Sequence, residues 1–151
     1  MCTRLILLIA LALVCTNMSA QTPVQEVIFK YAGTQGTQNF IAQGFKLDLA
    51  KKLMLSTPIA PIASDVDELA ILKMQGAASN IKVRFVHDLD DALKSYESYG
   101  THPSKNGLVD VYILRGGANR VVELVIYNPA IYSLNSVHGD FTLSQLLQLE
   151  K

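Results

Sequence analysis

The sequence LVDVYILRGGANRVVELVIY, residues 108–127, decides the fold of this chain. Val109, Val111 and Ile113 occupy alternate positions in its first half, which is the two-residue period of a half-buried β-strand. The glycine-containing residues 116–119 then separate this run from a second apolar run. The stretch therefore predicts two antiparallel strands joined by a hairpin turn.

Four other short apolar runs predict further strands on either side of this hairpin. They are residues 39–45, 68–74, 96–101 and 131–137. Asn128-Pro129 predicts the corner before the last run, and Gly139-Asp140 predicts a tight turn after it. With the hairpin, these runs predict a mostly antiparallel sheet of about five or six strands.

Three segments predict helices, because their apolar residues recur at helical spacing. They are residues 24–31, 47–54 and 142–149. Pro23 suits the first turn of the first helix, where its missing N–H group needs no partner. Pro58 and Pro61 end the second helix, because neither can donate a backbone hydrogen bond. In the last helix we expect Leu146 near the centre of the apolar face.

Residues 79–95 fit two different patterns. Within residues 79–86, apolar and charged residues alternate as they do in a strand. Ile81, Phe85 and Leu89, however, repeat every fourth residue as they do in a helix, and this period continues further along the chain. We therefore expect a helix, with a strand over the first half as the alternative.

The order of these elements predicts the fold class. Helices dominate the first half of the chain, and a meander of strands dominates the second. This order is typical of an α+β fold, in which helices pack on one face of a mostly antiparallel sheet.

The N-terminus predicts an export signal, residues 1–20. Arg4 supplies a positive charge, and residues 5–14 form an unbroken apolar run. As a helix this run spans about 15 Å, roughly half of a bilayer core, so it predicts a signal rather than a membrane anchor. Ser19 and Ala20 are the small residues that precede a cleavage site. We expect cleavage after Ala20 and release into the periplasm or the medium, with no membrane span left in the mature protein.

Both cysteines, Cys2 and Cys15, lie in the predicted signal. The exported part, residues 21–151, is therefore expected to be a single domain that folds by packing of its core, without disulfides. The alternative to cleavage after Ala20 is a lipoprotein that is anchored through Cys15.

The charges exclude one class of partner. The chain has 13 Lys and Arg residues against 13 Asp and Glu residues, and no basic stripe. Because clustered basic residues supply most of the affinity for phosphate backbones, we expect no binding to nucleic acid.

Three segments resemble the exported bacterial proteins of domain-of-unknown-function family 4252. They are EVIFKYAGTQGTQNFIAQGF (26–45), VDVYILRGGANRVVELVIYNPA (109–130) and YSLNSVHGDFTLSQLLQLEK (132–151). Phe29, Lys30 and Tyr31 match an early element of the family, and Gly139 with residues 141–147 matches a late one. The resemblance implies an exported protein with this order of elements, and it implies no particular activity.

One cluster of side chains has the composition of a metal site. His87, Asp88 and Asp91 bring an imidazole and two carboxylates together, and on a helix His87 and Asp91 share one face. Zinc sites need three or four protein ligands, so we interpret the cluster as a solvated helix face and assign no metal. His102, beside Pro103, and His138 are expected in surface turns.

Tyrosines are frequent in the predicted sheet. They are Tyr96, Tyr99, Tyr112, Tyr127 and Tyr132. Tyr112 points away from the face that carries Val109 and Val111, so an exposed Tyr112 would be able to anchor a partner. The simpler interpretation is that aromatic residues suit strands.

The expected function is a non-catalytic binding or interaction module of the bacterial envelope, whose partner is an unknown envelope protein or ligand. No serine stands in a nucleophile elbow, and the exported part has no cysteine. We assign no catalytic residue and no cofactor. The alternative is a metal-dependent hydrolase that uses His87, Asp88 and Asp91.

Overall fold

The computed structural model describes residues 20–57 and 59–150. The predicted export signal, except for Ala20, lies outside the described residues, and so does Pro58. Within the described part, no helix has the length and apolar character needed to cross a bilayer.

The described residues form helices and one six-stranded sheet. The helices are α1 (Pro23–Tyr31), α2 (Gly44–Met54), α3 (Ser79–Leu93) and α4 (Leu143–Leu147), with the 3₁₀ helices η1 (Ala60–Asp65) and η2 (Gln148–Glu150). The strands are β1 (Gln38–Ala42), β2 (Val66–Lys73), β3 (Glu97–Ser104), β4 (Gly107–Gly117), β5 (Arg120–Asn128) and β6 (Ser133–Thr142). The strand order is β1-β2-β6-β5-β4-β3, and all neighbouring strands are antiparallel. The predicted α+β class and antiparallel sheet are confirmed.

The two faces of the sheet have separate cores. Ala70 of β2 and Val125 of β5 flank Ser136 of β6, and they pack against α1 and α3. We call this side the closed face. Residues whose side chains point to the opposite face, such as Val137 and Leu124, pack with α2, η1 and α4. We call that side the open face.

Helices therefore lie on both faces, whereas the order of elements led us to expect them on one. The physical reason is the composition of the central strands. In β5, residues 124–126 are all apolar, so consecutive side chains on opposite faces must each be covered.

Helix α3 confirms the helical interpretation of residues 79–95. Phe85 and Leu89 are fully buried, whereas Val83, which a strand would place on their side, is 70% exposed. The Phe85 ring meets the rings of Tyr31 and Tyr127 edge to face, with centroids 5.5 and 6.2 Å away. The N-cap of the helix is Ala78.

Gly139 and Asp140 do not form the expected turn, because β6 continues through them to Thr142. Gly139 pairs with Val66 at a bulge between β2 and β6. A Cβ atom at Gly139 would lie 2.1 Å from the carbonyl oxygen of Asp65 and 2.6 Å from the Phe141 ring. Glycine is needed here for a close approach between backbones rather than for a turn.

Several predicted boundaries also shift. The strand predicted over 39–45 ends at Ala42, and α2 begins at Gly44. The break predicted from His102 starts later, because β3 continues to Ser104. Tyr132, expected in a strand, lies in the turn before β6 with a φ of 51°.

Candidate functional site

The predicted cluster on α3 is present, but its carboxylates are already bound. The Nδ1 atom of His87 lies 3.8 Å from Asp88 and 3.6 Å from Asp91. Asp88 accepts hydrogen bonds from Lys30 Nζ at 2.6 Å and from the Tyr31 hydroxyl at 2.7 Å. These bonds tie α3 to α1, so Asp88 has a structural role at the helix pair.

The electrostatics agree with that role. Hydrogen bonds from Lys30 and then Tyr31 lower the pKa of Asp88 below its usual value. Burial, with the bond to Asp88, raises the pKa of Tyr31 to about 12. Asp91 is bound to Lys94 at 2.6 Å, which lowers the pKa of its carboxyl group. Both carboxylates are therefore charged, and each is paired with a lysine. Among residues 20–57 and 59–150, no group of three metal-ligating side chains converges.

The other two histidines do not lie in turns as expected. His102 belongs to β3, where it pairs with Val109. His138 belongs to β6, between Glu68 of β2 and Glu123 of β5. The strand register thus pairs His138 with two residues that carry carboxylates, Glu68 and Glu123.

Those carboxylates form a buried polar cluster on the closed face, which the sequence analysis missed. Glu123 is fully buried and accepts hydrogen bonds from the hydroxyls of Tyr96 and Ser136. Glu68 accepts one at 2.8 Å from the Nε2 atom of Gln25, in the first turn of α1. A glutamate inside the apolar run of β5 was the available signal, because a buried charge needs hydrogen-bond partners.

The tyrosines do not supply an exposed aromatic anchor at Tyr112. Its side chain is half-buried and packs against the closed-face core. Burial raises the pKa of its hydroxyl, with further contributions from Asp110 and Asp90. Tyr96 precedes β3 rather than lying in it, and its hydroxyl also accepts the backbone N–H of Val24 at 3.3 Å.

A groove of about 540 Å³ lies on the open face, between α2 and the sheet. We call it the open-face groove. Its floor is formed by Leu69 and Ile71 of β2, Ile126 of β5 and Val137 of β6. Its wall is formed by the side of α2 that carries Leu49, Ala50, Leu53 and Met54.

The groove exists because α2 covers the sheet incompletely. Of its residues, Leu47 and Met54 are buried. Leu49 and Leu53, both in the wall, are 48% and 73% exposed. Phe40, at the β1 side of the groove, is also exposed. A concave site that is lined mainly by apolar side chains, with a few polar groups, is the usual form of a small-molecule pocket.

Three of the described residues that line the groove are polar: Lys46, Thr57 and Asn135. The Thr57 hydroxyl donates to the carbonyl oxygen of Met54 at 2.6 Å. The side chains of Lys46 and Asn135 make no hydrogen bond or ion pair with any other described residue. Asn135 lies in the middle of the floor, where it pairs with Ile71 on one side and Ile126 on the other.

A second, smaller cavity of about 170 Å³ adjoins the groove. It shares Ile59 and Ile126 with the groove and extends to Tyr99 and His102 of β3. Together the two cavities are lined by residues from all six strands, from Phe40 of β1 to β3 at the other edge. Five strand spacings correspond to roughly 24 Å, which is the length of the apolar track across the sheet.

Comparisons with known proteins give no match: no family model, no curated protein and no solved structure is significantly similar to this chain. The resemblance to domain-of-unknown-function family 4252 stays a prediction.

Proposed function

We propose that this protein is a non-catalytic binding module of the bacterial envelope that takes up an apolar small molecule in the open-face groove. The observation that carries the proposal is the groove itself, whose floor and wall are apolar and already formed. Its volume of about 540 Å³ is in the range of small-molecule sites.

The energetics support a ligand that is mainly hydrocarbon. Leu49, Leu53 and Phe40 keep apolar surface in contact with water, which is unfavourable until something covers it. Each square ångström of apolar surface removed from water contributes about 25 cal/mol to binding, before the entropy of association is subtracted. A ligand lying on this floor gains that contribution without any rearrangement of the sheet.

The alternative, a metal-dependent hydrolase that uses His87, Asp88 and Asp91, has weaker support. Lys30 and Lys94 occupy the two carboxylates at 2.6 Å. A metal ion would have to displace both lysines. Hydrolysis that requires added metal and is lost in Asp88→Asn would favour this alternative.

A neutral fluorescent apolar probe, N-phenyl-1-naphthylamine, tests the groove. We expect the wild-type protein to bind it and Leu49→Glu to bind it at least about tenfold more weakly, because a charge in the wall must be desolvated by an apolar ligand. Val83→Glu is the matched control, since Val83 is an exposed helix residue on the other side of the sheet. Circular dichroism would verify that both variants fold. Absent binding, or equal binding by both variants, would contradict the proposal.

The envelope location rests on the predicted export signal and on the resemblance to family 4252. Mass spectrometry of the protein from the periplasmic fraction is expected to show an N-terminus at Gln21. A lipid-modified Cys15 would instead support the lipoprotein alternative, and recovery of the full-length chain from the cytoplasm would contradict export.

A further inference from the structure

We propose that the ligand of the open-face groove is a long-chain carboxylate, with its hydrocarbon chain along the sheet and its anionic head group at Lys46. This inference rests on the proposed function of the groove and adds the chemical class of the ligand. It is carried by the two polar side chains of the lining that have no partner and by the shape of the apolar track.

Lys46 is an uncompensated cation at an apolar site. It lies in the first turn of α2 and lines the groove. The neighbours one turn away on the same helix face, Leu49 and Ala50, carry no charge. Lys51, on the same helix, instead donates to the carbonyl oxygen of Ser64 at 3.3 Å. A free ammonium group beside a hydrocarbon surface complements a ligand with one anionic end and repels a cationic one.

Asn135 places a second polar group on the floor. Its neighbours across the sheet are Ile71 and Ile126, so an apolar residue would suit the position better. The side chain is half-buried and has no partner within the described residues. Water meets this amide while the groove is empty, and a ligand that displaces the water must offer a polar atom in its place. Its N–H group is able to donate to a carboxylate oxygen, which fits the anionic end of the same ligand.

The dimensions favour a single chain over a protein partner. The groove and the adjoining cavity of about 170 Å³ form a track that crosses all six strands of the sheet. A stable protein interface buries about 1,200–2,000 Å² of total surface. An extended hydrocarbon chain matches a track that is roughly 24 Å long. Its one head group matches the few polar side chains in the lining.

The test compares three probes with the same chain and different ends: hexadecanoate, hexadecanol and hexadecyltrimethylammonium. Each of the three compounds is titrated against the wild-type protein with bound N-phenyl-1-naphthylamine, and the displacement of this dye is measured. The concentration of the compound stays below the value at which it aggregates. We expect hexadecanoate to bind about tenfold more tightly than hexadecanol, and the cation to bind most weakly, because a hydrogen bond between charged groups adds affinity for the anion alone.

The variant Lys46→Gln separates the contribution of the head group to binding from that of the hydrocarbon chain. We expect this variant to lose most of the preference for hexadecanoate while its affinity for hexadecanol is unchanged. Lys52→Gln is the matched control, because Lys52 lies on the same helix and is not part of the lining. The preference should also fall as salt concentration rises, because salt screens exposed charges.

The outcomes distinguish this inference from the proposed function. If hexadecanoate and hexadecanol bind equally, or if Lys46→Gln leaves the preference intact, the head-group assignment is wrong and the groove remains a binding site. If no probe binds, both proposals fail. If light scattering shows a dimer that Leu49→Glu dissociates, the groove is occupied by a second copy of the chain. That result would overturn the proposal of a long-chain carboxylate ligand.

Discussion

The two faces of one sheet are covered in different ways. On the closed face, the 15-residue helix α3 and the capped helix α1 bury the apolar residues that point to the sheet, including Phe85 and Ile28. On the open face, α2 is shorter, and its wall residues Leu49 and Leu53 remain exposed. The same strands thus contribute to a fully packed core on one face and to an open groove on the other.

The spacing of apolar residues along the helices explains the difference. In α3, Ile81, Phe85 and Leu89 follow one another every four residues and form a continuous stripe toward the sheet. In α2, the two buried residues, Leu47 and Met54, are seven positions apart. Helix α2 is therefore attached at its two ends and leaves its middle turn beside the groove. The comparison therefore places the largest expected effect on stability at the closed face and the proposed binding at the open one.

The test with the largest expected effect on stability is Phe85→Ala. Phe85 is fully buried between Tyr31 and Tyr127, and removal of such a ring costs about 3–5 kcal/mol of unfolding free energy. Urea denaturation of the two proteins measures the difference. Val83→Ala, on the exposed side of the same helix, is the control and should change the free energy by less than about 0.5 kcal/mol. A small effect of Phe85→Ala would mean that the closed face is not the main core.

The second test concerns the end of the chain, where α4 covers part of the open face. Leu146, expected at the centre of the apolar face of this helix, is fully buried against the core that includes Phe141. Leu146→Ala is expected to cost about 2–5 kcal/mol of unfolding free energy. Gln148→Ala should change it very little, because Gln148 is exposed. Equal denaturation midpoints for the two variants would show that α4 does not dock on the sheet.

Local patterns predicted much of this fold. The strand β4 and the helix α3 were each predicted from residues that are close in sequence, and both elements are confirmed. Gly139 was misinterpreted because its reason is nonlocal: the carbonyl group of Asp65, at the end of η1, takes the space of a side chain. A glycine in a sequence does not show whether it serves a turn or a close approach.

The candidate site was harder to predict than the fold. The groove depends on which apolar residues of α2 reach the sheet, and the helical pattern alone did not distinguish the buried Leu47 and Met54 from the exposed Leu49 and Leu53. Two signals were nevertheless present in the strands. Glu123 and Asn135 are polar residues at positions where apolar ones are expected, and the structure places one in a satisfied buried cluster and the other on the groove floor. A polar residue inside an apolar strand is therefore a better indicator of a candidate site than a histidine–aspartate cluster on an exposed helix.

The third test is a pH dependence on the closed face. The pair of Asp88 with Lys30 joins α3 to α1, and Asp88→Asn is expected to cost about 0.2–1 kcal/mol near pH 7. Because the pKa of Asp88 is lowered in the folded protein, its contribution is present above the unfolded value of about 3.9 and is lost as the pH falls through the folded value. The difference between wild type and variant should therefore shrink below about pH 4.

The control for that measurement lies on the other face. Asp48 is exposed on α2 and makes no ion pair with any described residue, so Asp48→Asn should leave the unfolding free energy nearly unchanged at both pH values. If Asp48→Asn and Asp88→Asn had the same pH profile, the effect would come from net charge, and the bond between α1 and α3 would contribute nothing specific.

The smallest effect on stability, and the most direct test of the open face, is Leu53→Ala. Leu53 is 73% exposed at the wall of the groove, so its truncation should change the unfolding free energy by less than about 0.5 kcal/mol. The same change should weaken binding of N-phenyl-1-naphthylamine, because the probe loses part of the apolar wall. A loss of about 2 kcal/mol or more would show that Leu53 is buried in solution. Helix α2 would then lie closer to the sheet, and the two faces would be equally closed.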